Sequence, residues 1–357
     1  AQSKKVGTYT FKNGDVYTGE LKGLPVLGFK PHGYGKTKFK NGDTYEGEYV
    51  NGKREGYGIY QFSDGERYEG DWYQDQQHGY GIYHFANNNR YEGMWYQDYQ
   101  HGEGTMYYYT GDVYEGNWKN DKREGQGTYT WKEGARYTGS WAGDKKNGQG
   151  TQTWSDGSRY TGTWKENQFS GEGTFEYANG DKYVGSWENG VQHGQGIYHF
   201  HTGERYEGNY INGQRTGQGV YLHANGDKYV GNFLNGVQQG LGTFTWANGA
   251  DYTGEWKDNQ RSGQGIYKWN QGDVYEGEWA DDLFNGQGTL TTIDGTTYKG
   301  GFVNGQKEGT CVEIDAQGNR FEGSYLEGRR HGPFTKTDKE GKVIQQGTYE
   351  KGRLKSN

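Results

Sequence analysis

The residues of this 357-residue chain that could do chemistry are numerous but dispersed. Glutamate recurs in a Tyr-Glu-Gly signature, as at Glu46. The recurrence fits a position facing solvent or a neighbouring strand better than an acid–base pair. No His-Glu-x-x-His and no Gly-x-Ser-x-Gly occurs, so neither a zinc protease helix nor a nucleophile elbow is present. Gly35-Lys36-Thr37 has the ending of a phosphate-binding loop, but the glycine required five residues upstream is Lys30. The many other Gly-x-Gly strings enter strand-like segments, with no helix following to cradle a phosphate. His32, His78, His101, His193 and His331 each precede a repeated glycine, and His199, His201 and His223 lie on or near strands. They are spread along the chain rather than spaced as ligands, and the single Cys311 completes no zinc set with them, so no metal or cofactor is expected. A metal shared across a dimer contact stays open.

These groups must be positioned by an unusual composition. Only 29% of residues are hydrophobic and mean hydropathy is -1.23, yet 17% are aromatic and Gly reaches 67. A disordered chain lacks such a ring content, so burial by stacked rings is expected instead of a thick aliphatic core. The net charge of -7 argues against nucleic acid as a partner, since single-strand binders need a cationic groove beside their rings. A lone cysteine precludes an internal disulfide framework and suggests a reducing, cytoplasmic setting. The start, Ala1-Gln-Ser-Lys-Lys5, lacks the apolar run of a secretory signal, and Leu24-Pro-Val-Leu27 is too short to cross a bilayer.

The organising feature is a Tyr-x-Gly signature returning every 23 residues from Tyr45 to Phe321, with an earlier copy at Tyr17 displaced by five residues. Such a period marks an array whose units contact mainly their neighbours. Within one unit, Tyr45, Gly47 and Tyr49 share a face and Thr44, Glu46 and Glu48 the other. After the polar loop 51–55, Gly56, Gly58, Tyr60 and Phe62 again share one side. Two short strands around a Gly-containing loop predict a hairpin, and Asn41-Gly42, Asp64-Gly65 and their copies predict tight turns between hairpins. Interior glycines weaken strands, so Gly47 and Gly58 are read as making room for rings over the backbone. Ring ladders are predicted from the first and fifth positions of the signature: Tyr45, Tyr68, Trp72, Tyr91, Trp95, Tyr114, Trp118, Tyr137, Trp141, Tyr160, Trp164, Tyr183, Trp187, Tyr252, Trp256, Tyr275 and Trp279. They are either structural or the lining of a groove for a peptide or lipid.

The pattern Tyr-x-Gly-x-(Trp/Tyr), loop, Gly-x-Gly-x-(Tyr/Phe), Asn-Gly resembles the MORN repeat (membrane occupation and recognition nexus) over roughly residues 6–350. The resemblance implies an all-β fold: an elongated, twisted, single-layer antiparallel meander of about 15 hairpins, forming one array over 1–357. At about 4.8 Å per strand, some 30 strands would extend on the order of 140 Å. It further implies a non-catalytic scaffold, since chains made almost wholly of these repeats are similar to protist cytoskeletal scaffolds and to subunits of the ciliary radial spoke head. Cytoskeletal or ciliary proteins are then the expected partners, in the cytoplasm. A phospholipid-docking module is the alternative. Basic pairs at Lys53-Arg54, Lys122-Arg123, Lys145-Lys146 and Arg329-Arg330 could give weak anionic-lipid contact, but they alternate with acids and read as solvated loop ends.

Two departures from the period stand out. The insertion Lys22–Pro31 carries Leu24, Val26, Leu27 and Phe29, an apolar loop that is either a partner contact or a local cap. Near 309–350 the Gly-x-Gly rule degrades to Gly309-Thr-Cys311 and Gly332-Pro333-Phe334. Terminal units of an array are atypical, and unpaired end strands invite pairing. This region is therefore the candidate for self-association, and the resemblance adds the prospect of a homodimer through C-terminal repeats.

Overall fold

The structure, a computed structural model, describes residues 1–355. Among these residues there are 32 strands and no helix, and the fold is all-β: an open antiparallel meander of hairpins. Two units are distinguished, residues 1–178 and residues from Asn179 onward. In the first, strands from Ser3–Thr10 to Gln168–Glu176 pair in chain order. In the second, strands from Lys182–Glu188 to Arg353–Leu354 do the same. In each unit the core lies along one face of the sheet.

The unit starting at Tyr45 shows why this sequence folds this way. In the strand Thr44–Val50, Tyr45, Gly47 and Tyr49 are buried while Thr44, Glu48 and Val50 face out, the alternation predicted from period two. The connection to Lys53–Gln61 is tighter than the polar loop read from the sequence. It is a two-residue turn, Asn51 (φ 48°) and Gly52 (φ 86°), and Lys53 already pairs with Val50. Lys53, Arg54 and Glu55, assigned to the loop, are instead strand residues, and a bulge follows Arg54. Register runs Gly47↔Gly58 and then Tyr49↔Arg54, so Glu48 alone faces Glu55–Tyr57. Gly56 turns this bulge at φ 90°, and the Glu48 carboxylate accepts the Tyr57 N–H at 2.8 Å. Beyond the bulge Arg54, paired with Tyr49, lies on the ring face.

The link between hairpins also uses its residues differently from the expectation. Phe62 N–H donates to Glu66 O (2.9 Å) and Gly65 N–H to Phe62 O (3.1 Å), a three-residue loop with positive φ at Gly65 only. Asp64 keeps negative φ and accepts the Glu66 N–H through Oδ1 at 2.9 Å.

Ring packing replaces an aliphatic core. Tyr68 is fully buried, and it meets Trp72 of its own repeat edge-on at 5.2 Å and Trp95 of the next at 5.5 Å. The same double contact recurs at Tyr91, Tyr114 and Tyr137, each with the aromatic four and 27 residues on. Each such pair contributes about 1 kcal/mol beyond area burial. The phenol donates to the carbonyl three residues ahead (Tyr68 to Asp71 O, 2.6 Å), and the indole donates to a glycine carbonyl of the preceding strand (Trp72 to Gly58 O, 3.3 Å). Among the described residues no buried Tyr or Trp polar atom is left without a partner, which is what makes Tyr and Trp usable as core. The glycines do make room: a Cβ on Gly58 would lie 2.1 Å from the Tyr45 hydroxyl, and one on Gly47 2.4 Å from Gly58 Cα.

Candidate functional site

The ladder residues named from sequence (Tyr45 to Trp164 in the first unit, Tyr183 to Trp279 in the second) are all buried. The ladder tryptophans also meet a second set of rings on the alternate strands, at shallow tilts of 36° for Tyr60 on Trp72 and Tyr83 on Trp95. In the first unit this set walls a cleft of about 770 Å³ between Arg54 and Asp144. Its floor and walls are Tyr60, Phe62, Trp72, Tyr83, Phe85, Trp95, Met106, Tyr108 and Trp118. Tyr60 leans on Phe62 at 4.5 Å and on Trp72 at 5.8 Å, and Tyr83 repeats this with Phe85 and Trp95 at 4.5 and 5.7 Å. These residues follow the Gly-x-Gly pair and share its face, which the sequence reading recognised for Tyr60 and Phe62 without naming the row as a site.

One rim of the cleft is charged. The basic pairs read as solvated loop ends divide in two. Lys53, Lys122 and Lys145 are exposed, whereas their neighbours Arg54, Arg123 and Lys146 fold over the rings. The Arg54 guanidinium lies 4.6 Å from the Trp72 ring, donates through Nε to Asp75 Oδ1 (3.1 Å) and through Nη2 to Asp75 O (3.1 Å). Arg123 does the same over Trp141 (4.7 Å) with Asp144 Oδ1 (3.2 Å) and O (3.0 Å), and in the second unit Arg261 repeats it over Trp279 with Asp282. Sequence reasoning missed this row. Its signal was the recurrence of Arg and Asp 21 residues apart: Arg54/Asp75, Arg123/Asp144 and Arg261/Asp282.

Burial shapes the protonation of these groups. Desolvation raises the ladder phenols above their ordinary 10, Tyr49 to about 12. Lys146 lies 4.8 Å from the Trp164 ring and donates to Gln152 Oε1 at 2.8 Å; burial and then the Arg123 charge lower its ammonium to about 8. Histidines are not gathered. His78, for example, sits between the Tyr73 and Tyr96 rings at 5.5 and 5.2 Å. Among the described residues no group of three or more His, Cys, Asp or Glu side chains is arranged to hold a metal ion.

The insertion lengthens one hairpin. The strands Val16–Leu24 and Gly28–Lys38 pair to its tip, where Val26 and Leu27 are 94% and 81% exposed. Leu24 is half-buried, and Lys5 sits over the Phe29 ring at 4.2 Å. In the C-terminal repeats Cys311 takes the place of the second glycine, opposite Gly300, and is buried, its thiol pushed up to about 11 by desolvation. Phe334 takes the same place one repeat later, buried and stacked on Phe321 at 5.3 Å, while Pro333 is exposed. Arg330 covers Phe321 at 3.9 Å.

The geometry defines a class of protein: an antiparallel repeat sheet faced with aromatic rings, with a ring-walled cleft in its first unit and, among the described residues, no cluster of metal-ligating side chains. The MORN repeat family model matches 15 segments, at 6–16, 30–44 and then in near-unbroken 23-residue steps from 45 to 333, and the chain belongs to that family. No curated protein matches it. Among solved structures, it is similar to the SAS-4 (dCPAP) TCP domain of Drosophila melanogaster in complex with a proline-rich motif of Ana2 (15% identity, TM-score 0.28, 43% of this chain and 84% of that one). The wild-type TCP10 domain of Danio rerio CPAP (13%, TM-score 0.19, 75% and 99%) and virginiamycin B lyase from Staphylococcus aureus (9%, TM-score 0.14, 88% and 96%) are also similar. At these TM-scores the likeness bears on neither site nor activity.

Proposed function

We propose that the chain is a non-catalytic interaction scaffold of a cytoskeletal assembly, ciliary or basal-body-associated, working in the cytoplasm and holding partner proteins on its aromatic face. The observation that carries this reading is the ring-walled cleft running from Arg54 to Asp144. It offers apolar faces and rim charges of both signs, the composition of a protein-docking surface. Phospholipid docking is the weaker alternative, because half of the basic residues that would meet a headgroup are committed to rings and aspartates. Co-sedimentation separates the two. The full chain is expected to pellet with isolated axonemes or a detergent-extracted cytoskeleton and to stay in the supernatant with phosphatidylserine vesicles; pelleting with the vesicles alone would overturn the reading. A homodimer through residues 300–357 belongs to the same proposal, with the end strands as contact.

A further inference from the structure

The Arg–Asp–Trp motif is a template for what the middle of the cleft lacks. Aspartate stands at the second turn position five times, at Asp75, Asp98, Asp121, Asp144 and Asp282. Three of these hold a guanidinium from Arg54, Arg123 or Arg261. At the other two the residue in register is glutamine. Gln77 replaces Arg54 one repeat on, and Gln100 replaces it two repeats on. Asp98 and Asp121 keep the structural bond of the series, accepting the Gln77 and Gln100 backbone N–H at 2.8 Å each. In the occupied motifs the same Oδ1 also accepts the guanidinium Nε, and at Asp98 and Asp121 no such side-chain donor is present among the described residues. Gln77 and Gln100 are 6% and 4% exposed and line the cleft. The apolar surfaces that would receive a guanidinium are in place: Trp95 with Tyr83 and Phe62 beside Asp98, and Trp118 with Phe85 and the Met106 side chain beside Asp121.

We propose that these two positions are arginine-binding subsites for an extended segment of a partner protein. This deepens the interaction-scaffold reading and rests on it. Each subsite offers the three things its occupied counterparts use: a ring face, a carboxylate oxygen and an aspartate carbonyl. Guanidinium rather than ammonium is selected, because the carbonyl and the carboxylate are met together by a planar fork. Spacing identifies the backbone. Neighbouring repeats are two strands apart, about 9.6 Å. A polyproline II segment advances about 9.3 Å over three residues and returns to the same face, so arginines at i and i+3 reach both subsites. An extended β segment would place same-face residues about 6.8 Å apart and miss one of them.

The test is titration of the full chain with an acetylated, amidated Pro-Arg-Pro-Pro-Arg-Pro peptide, followed by tryptophan fluorescence and calorimetry. Binding is expected, and it should weaken roughly tenfold or more when both arginines become citrulline, which keeps the shape and removes the charge. Moving the arginines to i and i+2 should weaken it as well. In the chain, Gln77→Arg with Gln100→Arg fills both subsites from within; it should leave the circular dichroism and thermal midpoint unchanged or raised while abolishing peptide binding. Asp98→Asn with Asp121→Asn should weaken binding in an intact fold. Failure of the arginine peptide to bind, equal binding of the citrulline peptide, equal binding of the i, i+2 peptide, or full binding to the Gln77→Arg/Gln100→Arg variant would each overturn the proposal. Cytoskeletal co-sedimentation run on the same proteins keeps the two readings apart. Pelleting retained without peptide binding defeats only the subsites, and loss of pelleting by the unmodified chain defeats the scaffold reading itself.

Discussion

Replacing Gly127 by alanine isolates the force that shapes the repeat. Gly127 has ordinary strand dihedrals, so alanine meets no backbone penalty, but its Cβ would lie 2.1 Å from the Tyr114 hydroxyl oxygen and 2.4 Å from Cζ. The ring must move by more than an ångström. In moving it gives up edge contacts with Trp118 (5.1 Å) and Trp141 (5.4 Å) and its hydrogen bond to Asn117 O (2.8 Å). At about 1 kcal/mol for each ring pair and about 1 for the bond, the loss approaches 3 kcal/mol, the upper end of overpacking costs. Gly134, in the turn that follows the same strand, is the control. It has φ 104° and nothing within 4 Å of an added Cβ, so Gly134→Ala should cost about 1 kcal/mol from backbone strain alone. Urea unfolding followed by circular dichroism, with exchange rates of amides in 113–141, reads both. In a Tyr114→Ala background the cost of Gly127→Ala should nearly vanish, because the obstructing ring is gone. An unchanged cost there would refute ring-over-glycine packing.

Three further outcomes follow from the protonation states and the chain ends. The phenols of buried tyrosines such as Tyr68, Tyr114 and Tyr229 are raised by burial, so the fold keeps protons that the unfolded chain releases above pH 10; stability should fall as pH rises beyond that point. Tyrosinate absorbance of the buried class should appear together with loss of ellipticity, and titration of every tyrosine near pH 10 in a folded chain would count against it. Lys146 is lowered to about 8, so the unfolded chain binds the proton more tightly and stability should rise between about pH 8 and 10.5. Lys146→Met should flatten that rise and, after allowance for the lost ring contact, stabilise the chain at pH 7 by on the order of 1 kcal/mol. For self-association, light scattering should find a smaller oligomer for a chain ending at Asn304 than for the full chain; an unchanged state would rule out an interface within 300–357.

Much of the fold is legible because its period is set by chemistry that shows in residue type. A buried Tyr at 0% exposure beside a glycine is a one-letter pattern, and the alternation of Tyr45, Gly47 and Tyr49 gives the face directly. What the sequence hid were features decided by turn length and bulge geometry. Arg54 shares the parity of Gly56, Gly58 and Tyr60, so alternation alone would place it on the ring face; what misled was the turn, which is only Asn51-Gly52 and makes Arg54 a strand residue rather than a loop end. The Arg–Asp row was hidden for another reason. Its members are 21 residues apart, two short of the period, because they meet across adjacent hairpin tips rather than at equivalent positions. Cys311 and Phe334 read as breaks in a rule, yet both are buried, and Phe334 stacks on Phe321, which lacks the hydroxyl of the other signature residues.

Hydrogen exchange on Trp164→Ala tests most directly whether repeats are held by their neighbours. Trp164 is packed edge-on against Tyr137 at 5.3 Å and Tyr160 at 5.1 Å, and its truncation should cost about 3–5 kcal/mol, as for other buried aromatics. Nearest-neighbour coupling confines that loss, so amides in the strands from Arg136–Ala142 to Gln168–Glu176 should exchange faster while those in Thr44–Val50 and Lys53–Gln61 keep their protection. An equal loss of protection in all of these strands would contradict the account.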